Sequence, residues 1–441
     1  MEFWIKAAQL ILSLSILIVL HELGHFLPAK YFKTRVEKFY LFFNPWFSLF
    51  KVKKGETEYG IGWLPLGGFV KISGMIDESM DTEQMSKPPQ PWEFRSKPAW
   101  QRLIIMAGGV TVNIFLGAFI YMMVLFVWGK DYIPPENTKE HGMYVHESFE
   151  KYGFQQGDII LEKNGEAITD VTDINGDMFL RGINEIKVKH PNGEEAVIKM
   201  PEDIGSIMFE SGVMQPLQPR FYAVIDSVIE DHPAIDAGFS KGDSVVAIND
   251  TAIIYWQEMS DFTHARTNTE LKFSIYRNGE LLAINVKTTE EGTIGIAPKA
   301  LMKNFKIEHK DYGFFESIPA GFSKGYRSLN DYVSQFKYVF TKKGASQIGG
   351  FGSIGSIFPS TWEWQRFWEL TAFLSIMLAF MNILPIPALD GGHILFLLYE
   401  MISGRAPSQK FLEYAQMAGI VLLLGLMLYA NGNDIYKWIA G

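Results

Sequence analysis

The chain has 441 residues, 48% of them hydrophobic, with a net charge of -9 and no cysteine. The acidic balance argues against nucleic acid as a partner, and the missing cysteines exclude disulfides, Fe–S clusters and Cys-ligated zinc, leaving His, Asp and Glu to hold a metal. Mean hydropathy is close to zero, so a very apolar part must be averaged with an ordinary polar one.

The first apolar stretch covers about residues 3–32 and contains LILSLSILIVL. It runs into HELGHF with no small-residue cleavage site, so it reads as a retained membrane span rather than a signal peptide. Residues four apart on a helix differ by about 40° in azimuth and ~6 Å in rise, so His21 and His25 share a face and can grip one ion. Glu22, about 100° around from His21, lies beside that ion, where it can take a proton from water that the metal activates at neutral pH. HExxH also occurs by chance. Against chance stands the cost of ionisable groups in an apolar span, roughly 2.5–3.5 kcal/mol each at mid-membrane when charged and unpaired.

Residues 33–101 form a loop rich in Lys and Arg, among them Lys33, Arg35, Lys38, Lys51, Lys53, Lys54 and Lys97. Within it, residues 64–74 read LPLGGFVKISG, which suits a strand or a plain hairpin. A second span over 102–129 contains AGGVTVN at 107–113. Next comes a long polar segment with an internal repeat: GFQQGDIILEKNGEAI at 153–168 and GFSKGDSVVAINDTAI at 238–253. In each, a Gly-Asp turn leads into an apolar strand that ends at an Asn-Gly or Asn-Asp hairpin turn, and Asn278-Gly279 marks another. Two copies are too few for a solenoid, so domains of mixed strand and helix are expected at 130–218 and 219–305. Residues 306–345 read as amphipathic helix, lying on a membrane surface or packing in the ordinary way.

A glycine-rich entry and third span occupy 346–389. GFGSIG at 350–355 matches GxGxxG literally, but no βαβ pattern surrounds it, so a nucleotide site is a poor reading. The span ends in NILPIPALDGGH, residues 382–393. Pro385 and Pro387 forbid regular helix there, Gly391-Gly392 permits a turn, and unwound backbone at membrane depth belongs where it lines an enclosed or watery site. A catalytic zinc usually keeps three protein ligands and an open position; Asp390 is the candidate for the third, with His393 competing. A cytoplasmic loop to residue 410, a fourth span over 411–431 and a tail to 441 complete the chain. The positive-inside rule puts the 33–101 and 390–410 loops in the cytoplasm, and the 130–366 segment with both termini outside.

HExxH in a first span, followed by NxxPxPxLDGG in a later one, resembles the site-2 protease family of intramembrane zinc metalloproteases. The repeated segment resembles PDZ domains of the bacterial protease-associated type, which makes the whole chain similar to the regulator-of-sigma-E protease branch. The resemblance implies a polytopic α-helical membrane protein with four transmembrane helices, a membrane-associated β element and two extracytoplasmic PDZ-like α/β domains, in the bacterial inner membrane with those domains periplasmic. It implies one zinc ion per chain on His21, His25 and Asp390, with Glu22 as general base. Asn382 and the strand residues Gly68, Phe69, Val70 and Lys71 would contact substrate, because a helical substrate must be held extended before its amide can be cut. AGGVTVN takes the place of the family's Ala-Gly-Pro-x-x-x-Asn, with Gly109 where Pro is usual. Expected partners are the lipid bilayer, single-span membrane proteins already shed of their outer domains (anti-sigma factors or signal-peptide remnants) and peptide chain ends at the PDZ-like domains. Two other readings are a catalytically idle PDZ scaffold, which has no reason to keep these polar groups in lipid, and a zinc transporter, which tends to show inverted repeats and more spans.

Overall fold

A computed structural model of the chain describes residues 2–65, 67–75, 88–299 and 304–440. Leu66 of the LPLGGFVKISG stretch, with residues 76–87 and 300–303 of the expected cytoplasmic loop and second PDZ-like domain, lies outside the described residues. The chain divides into two compact units, one of residues 1–129 with 311–441 and one of 130–310.

The first unit holds four helices long and apolar enough to cross a membrane: Glu2–Tyr31, Ala99–Trp128, Trp364–Ile383 and Gln409–Ile439. Each exceeds or meets the ~20 residues that span about 30 Å of hydrocarbon. In chain order the unit begins with α1 (Glu2–Tyr31) and the strands β1 (Val36–Leu41), β2 (Phe43–Lys54), β3 (Thr57–Leu64) and β4 (Phe69–Ile72), followed by α2 (Ala99–Trp128). The strands form one sheet in the order β2-β3-β1-β4, with β1 parallel to β3 and antiparallel to β4. Among the described residues β4 is therefore an edge strand. Ala29, Val36, Ile72, Phe94, Ile105, Met106 and Leu397 form one buried cluster, which ties α1, the sheet and α2 into a single wall.

The second unit shows the repeat as topology. Its first half runs β5 (Lys130–Tyr132), β6 (Met143–Val145), β7 (Ile159–Lys163), β8 (Glu166–Ala167), α3 (Ile174–Leu180), β9 (Glu185–Lys189), β10 (Glu195–Lys199), α4 (Ile204–Ser211) and β11 (Leu217–Pro219). The second half runs β12 (Ile225–Val228), β13 (Ser244–Ile248), β14 (Thr251–Ala252), α5 (Trp256–His264), β15 (Glu270–Arg277), β16 (Glu280–Lys287) and β17 (Ile296–Pro298), with β18 (Glu308–Lys310) closing the unit. The four-stranded sheets, β8-β7-β9-β10 and β14-β13-β15-β16, have the same order, and each half adds a two-stranded pair joining its beginning to its end, β6 with β11 and β12 with β17. Asn164, Asn249 and Asn278 adopt positive φ (47°, 52° and 52°) at the three hairpin turns, the conformation for which Asn is selected there. The repeated aspartates do the same work in both halves. Asp158 accepts the Gln155 N–H at 2.9 Å and Asp243 that of Ser240 at 2.8 Å. Each half has its own core, one around Phe149, Ile186 and Met208, the other around Phe273, Ile248 and Ala234. Tyr144 bridges the halves by donating to Asp261 at 2.6 Å.

The first unit resumes with α6 (Phe314–Val339), α7 (Trp364–Ile383), α8 (Asp390–Ser403) and α9 (Gln409–Ala440). Two sequence expectations need correction. Residues 390–403 are not a loop but the helix α8, and Gly391-Gly392 do not make a turn. They form the first turn of α8, where a side chain on Gly391 would run into the Leu384 carbonyl and one on Gly392 into that of Ile386. The glycines serve close approach rather than bending. The unwound stretch is the preceding 384–389, where Pro385 and Pro387 end α7 at Ile383 and Ala388 is held at φ 83°. GFGSIG also finds its place. Gly350 N–H and Ser353 N–H donate to Asp434 of α9 at 2.9 and 3.0 Å, so a carboxylate of the chain already occupies the start of the short helix Phe351–Ser356, where a phosphate would otherwise bind.

Candidate metal centre

α1 places His21 and His25 one turn apart, and the start of α8 brings Asp390 to them. The three polar atoms converge. His21 Nε2 and His25 Nε2 are 3.3 Å apart, and Asp390 Oδ2 lies 3.3 Å from each. A tetrahedron with bonds of about 2.0–2.1 Å has edges of roughly 3.3–3.4 Å, so these separations are those of three zinc ligands on one tetrahedral face. Asp390 Oδ2 is buried and has no hydrogen-bond partner among the described residues. Such an orphaned carboxylate oxygen is rare unless an ion or water completes it. His21, His25 and Asp390 are the one group of three or more such side chains with converging atoms among the described residues; His393, the competing candidate, sits one turn further along α8 and is not in it.

The approach of α2 to α1 depends on missing side chains. A methyl on Gly24 would meet the Gly108 carbonyl at 2.5 Å, one on Gly108 would meet the Gly24 carbonyl, and one on Gly109 would meet His21 Cε1 at 2.6 Å and His25 Nε2 closer still. Gly109 thus sits directly against the imidazoles. The closeness lets α2 reach the far nitrogens of both rings. His25 Nδ1 lies 2.8 Å from the Ile105 carbonyl, and His21 Nδ1 lies 3.1 Å from the Asn113 side-chain amide.

Glu22 points toward the sheet. Its carboxylate accepts the Val70 backbone N–H, with His21, His25 and Asp390 as its charged neighbours. Gly68 has no room for a side chain because Ile18 and the Tyr40 carbonyl press on it, with Glu22 Cγ close by. Phe69 stacks on Tyr40 with ring centroids 5.2 Å apart. Of the strand residues singled out in the sequence, Gly68 and Val70 touch the acidic residue, while Lys71 pairs with Glu37 at 3.6 Å. Asn382, at the end of α7, brings its amide nitrogen 3.4 Å from His21 Nε2. The sequence reading missed Gln416 of α9, which accepts the Ala388 N–H at 3.1 Å and pins the strained loop before Asp390; a glutamine in an apolar span was the available signal.

The model of peptidase family M50 matches residues 9–426. A putative zinc metalloprotease of Vibrio cholerae serotype O1 is 26% identical, the match covering 97% of each chain. The regulator of sigma E protease of Haemophilus influenzae is 26% identical over 99% of this chain and 100% of its own. The regulator of sigma-E protease RseP of Escherichia coli K12 is 26% identical with the same coverage. The chain belongs to peptidase family M50, a family of zinc metalloproteases.

Proposed function

We propose that the chain is an intramembrane endopeptidase in which His21, His25 and Asp390 hold one zinc ion and Glu22 is the general base. The observation that carries this is the convergence of three ligand-type atoms at 3.3 Å spacing, two of them on α1, a helix apolar enough to cross a membrane, and the third at the start of α8. A zinc ion held there supplies Lewis acidity, polarising the scissile carbonyl and acidifying water near neutral pH. Glu22 takes a proton from the attacking water on its carboxylate and returns it to the leaving amide nitrogen. The Val70 N–H holds that carboxylate in orientation. β4, an edge strand among the described residues, together with Gly68 just before it offers Phe69, Val70 and Lys71 to an unwound substrate segment by strand addition, and Asn382 contacts the substrate beside His21.

The substrates are single-span membrane proteins whose outer domains have already been removed, of the anti-sigma-factor or signal-peptide-remnant kind. Two relatives named for regulation of sigma E support that class, as does the place of His21 and His25 on a helix apolar enough to cross a membrane. The protein resides in the bacterial inner membrane, with the lysine- and arginine-rich loops cytoplasmic and residues 130–310 periplasmic. The two halves of that unit act as PDZ-like domains, a reading supported by their duplicated topology. They exclude substrates with bulky outer domains and bind exposed chain ends. The test is membrane proteomics of cells carrying intact protein or Glu22→Gln. Single-span fragments that shorten only with the intact protein support the assignment, and identical fragment sets contradict it.

A further inference from the structure

Asn113 is 0% exposed in the middle of α2, and a polar side chain buried at that depth is costly unless it has a task. Ser375 of α7 donates to its backbone carbonyl at 2.8 Å, which fixes that turn of α2. Its side-chain nitrogen lies 3.1 Å from His21 Nδ1, and its side-chain oxygen is buried with no hydrogen-bond partner among the described residues. In this orientation the amide donates to Nδ1, so a neutral His21 must carry its proton on Nε2. That is the nitrogen facing Asp390 and His25. A metal needs it bare.

His25 shows the alternative. Its Nδ1 faces the Ile105 carbonyl at 2.8 Å, and a carbonyl only accepts. The His25 proton therefore sits on Nδ1 and Nε2 is open. A half-turn of the Asn113 amide gives His21 the same arrangement, because the oxygen and nitrogen exchange places with almost no change in shape. It satisfies the orphaned oxygen in the same step.

We propose that Asn113 is the positioning residue for His21, its side-chain oxygen accepting the Nδ1–H so that Nε2 faces the metal. α2 then supplies the outer partner of both histidines: a backbone carbonyl for His25 and the Asn113 side chain for His21. The inference rests on the reading of His21 as a metal ligand. It gives AGGVTVN a purpose, with the glycines admitting α2 to the rings and the asparagine orienting one of them.

The test uses the full-length chain in detergent, with zinc as the probe and zinc content measured after equilibration against chelators of graded strength. Asn113→Leu removes the acceptor at similar size and should weaken zinc binding about ten- to hundred-fold, the usual consequence of losing an outer-sphere partner. Asn113→Asp can only accept, and should match the parent protein or exceed it. Parent-like zinc binding by Asn113→Leu overturns the proposal. So does a loss in Asn113→Asp equal to that in Asn113→Leu, which would make the amide a donor. If Asn113→Leu lacks the melting transition of the zinc-stripped parent, the Asn113→Asp arm decides alone, retention supporting and loss overturning. His21→Ala distinguishes the levels. If it keeps zinc at the parent's affinity, the metal-site reading fails and the proposal falls with it; if it loses zinc while Asn113→Leu does not, only the role of Asn113 fails.

Discussion

Asp390 joins the two sequence motifs, reaching from the start of α8 to both histidines of HELGH on α1. Its Oδ2 is poised 3.3 Å from both histidine nitrogens, so Asp390→Ala should lower zinc affinity by more than the about 10–100-fold typical of an outer partner. His21→Ala and His25→Ala should do the same. His393→Ala should leave zinc bound, because His393 is not among the converging side chains. Equilibrium zinc content against a chelator reads all four variants; a His393→Ala loss matching that of Asp390→Ala would overturn the ligand assignment. At this scale the convergence of His21 and His25 was legible in the sequence because helical spacing alone puts them on one face. The link from the Val70 N–H to Glu22 was not legible. It is a backbone contact between elements nearly fifty positions apart, and nothing in the side-chain pattern encodes it.

At the scale of elements, two close approaches build the site, and each relies on glycine. α1 and α2 meet through Gly24, Gly108 and Gly109, a small-residue crossing of the kind that holds membrane helices together where no hydrophobic drive separates helix from lipid. The atoms that a new methyl would meet at Gly24 are backbone and cannot swing aside. Gly24→Ala should therefore destabilise the protein by about 1–3 kcal/mol, seen as a lower melting temperature in detergent; an unchanged melting temperature would mean the crossing has slack. The second approach is α8 against the 384–389 loop through Gly391 and Gly392. Here the sequence misled. Gly-Gly after two prolines has the local signature of a turn, and only the tertiary contact with the Leu384 and Ile386 carbonyls reveals why the pair starts a helix. The hairpin turns of the second unit were legible, because Asn with positive φ is a local property.

At the scale of the molecule, residues 130–310 interrupt a unit that closes on itself without them. β5 and β18 pair in antiparallel register, Tyr132 opposite Glu308, so the chain enters and leaves the second unit at adjacent points. Replacing residues 133–307 with a short Gly/Ser linker should accordingly leave zinc binding intact while admitting substrates with unshed outer domains. Loss of zinc would show that the first unit does not stand alone. Absence of cysteine from the native chain makes the orientation directly measurable. Single cysteines at Lys54 and Lys410 should resist an impermeant thiol reagent in intact cells, and one at Asn249 should react; the reverse pattern would contradict the positive-inside assignment.

Zinc and the Glu22 carboxylate have separable tasks in the proposed reaction, and one paired measurement reads both. Purified protein and its Glu22→Gln variant are assayed side by side for zinc per chain and for cleavage of a single-span substrate in the same detergent. Glu22→Gln removes the base but no ligand, so the account predicts one zinc per chain in both and a cleavage rate at least about 100-fold lower in the variant. Turnover by Glu22→Gln at the parent rate, or cleavage by the parent that survives complete removal of zinc, would contradict it.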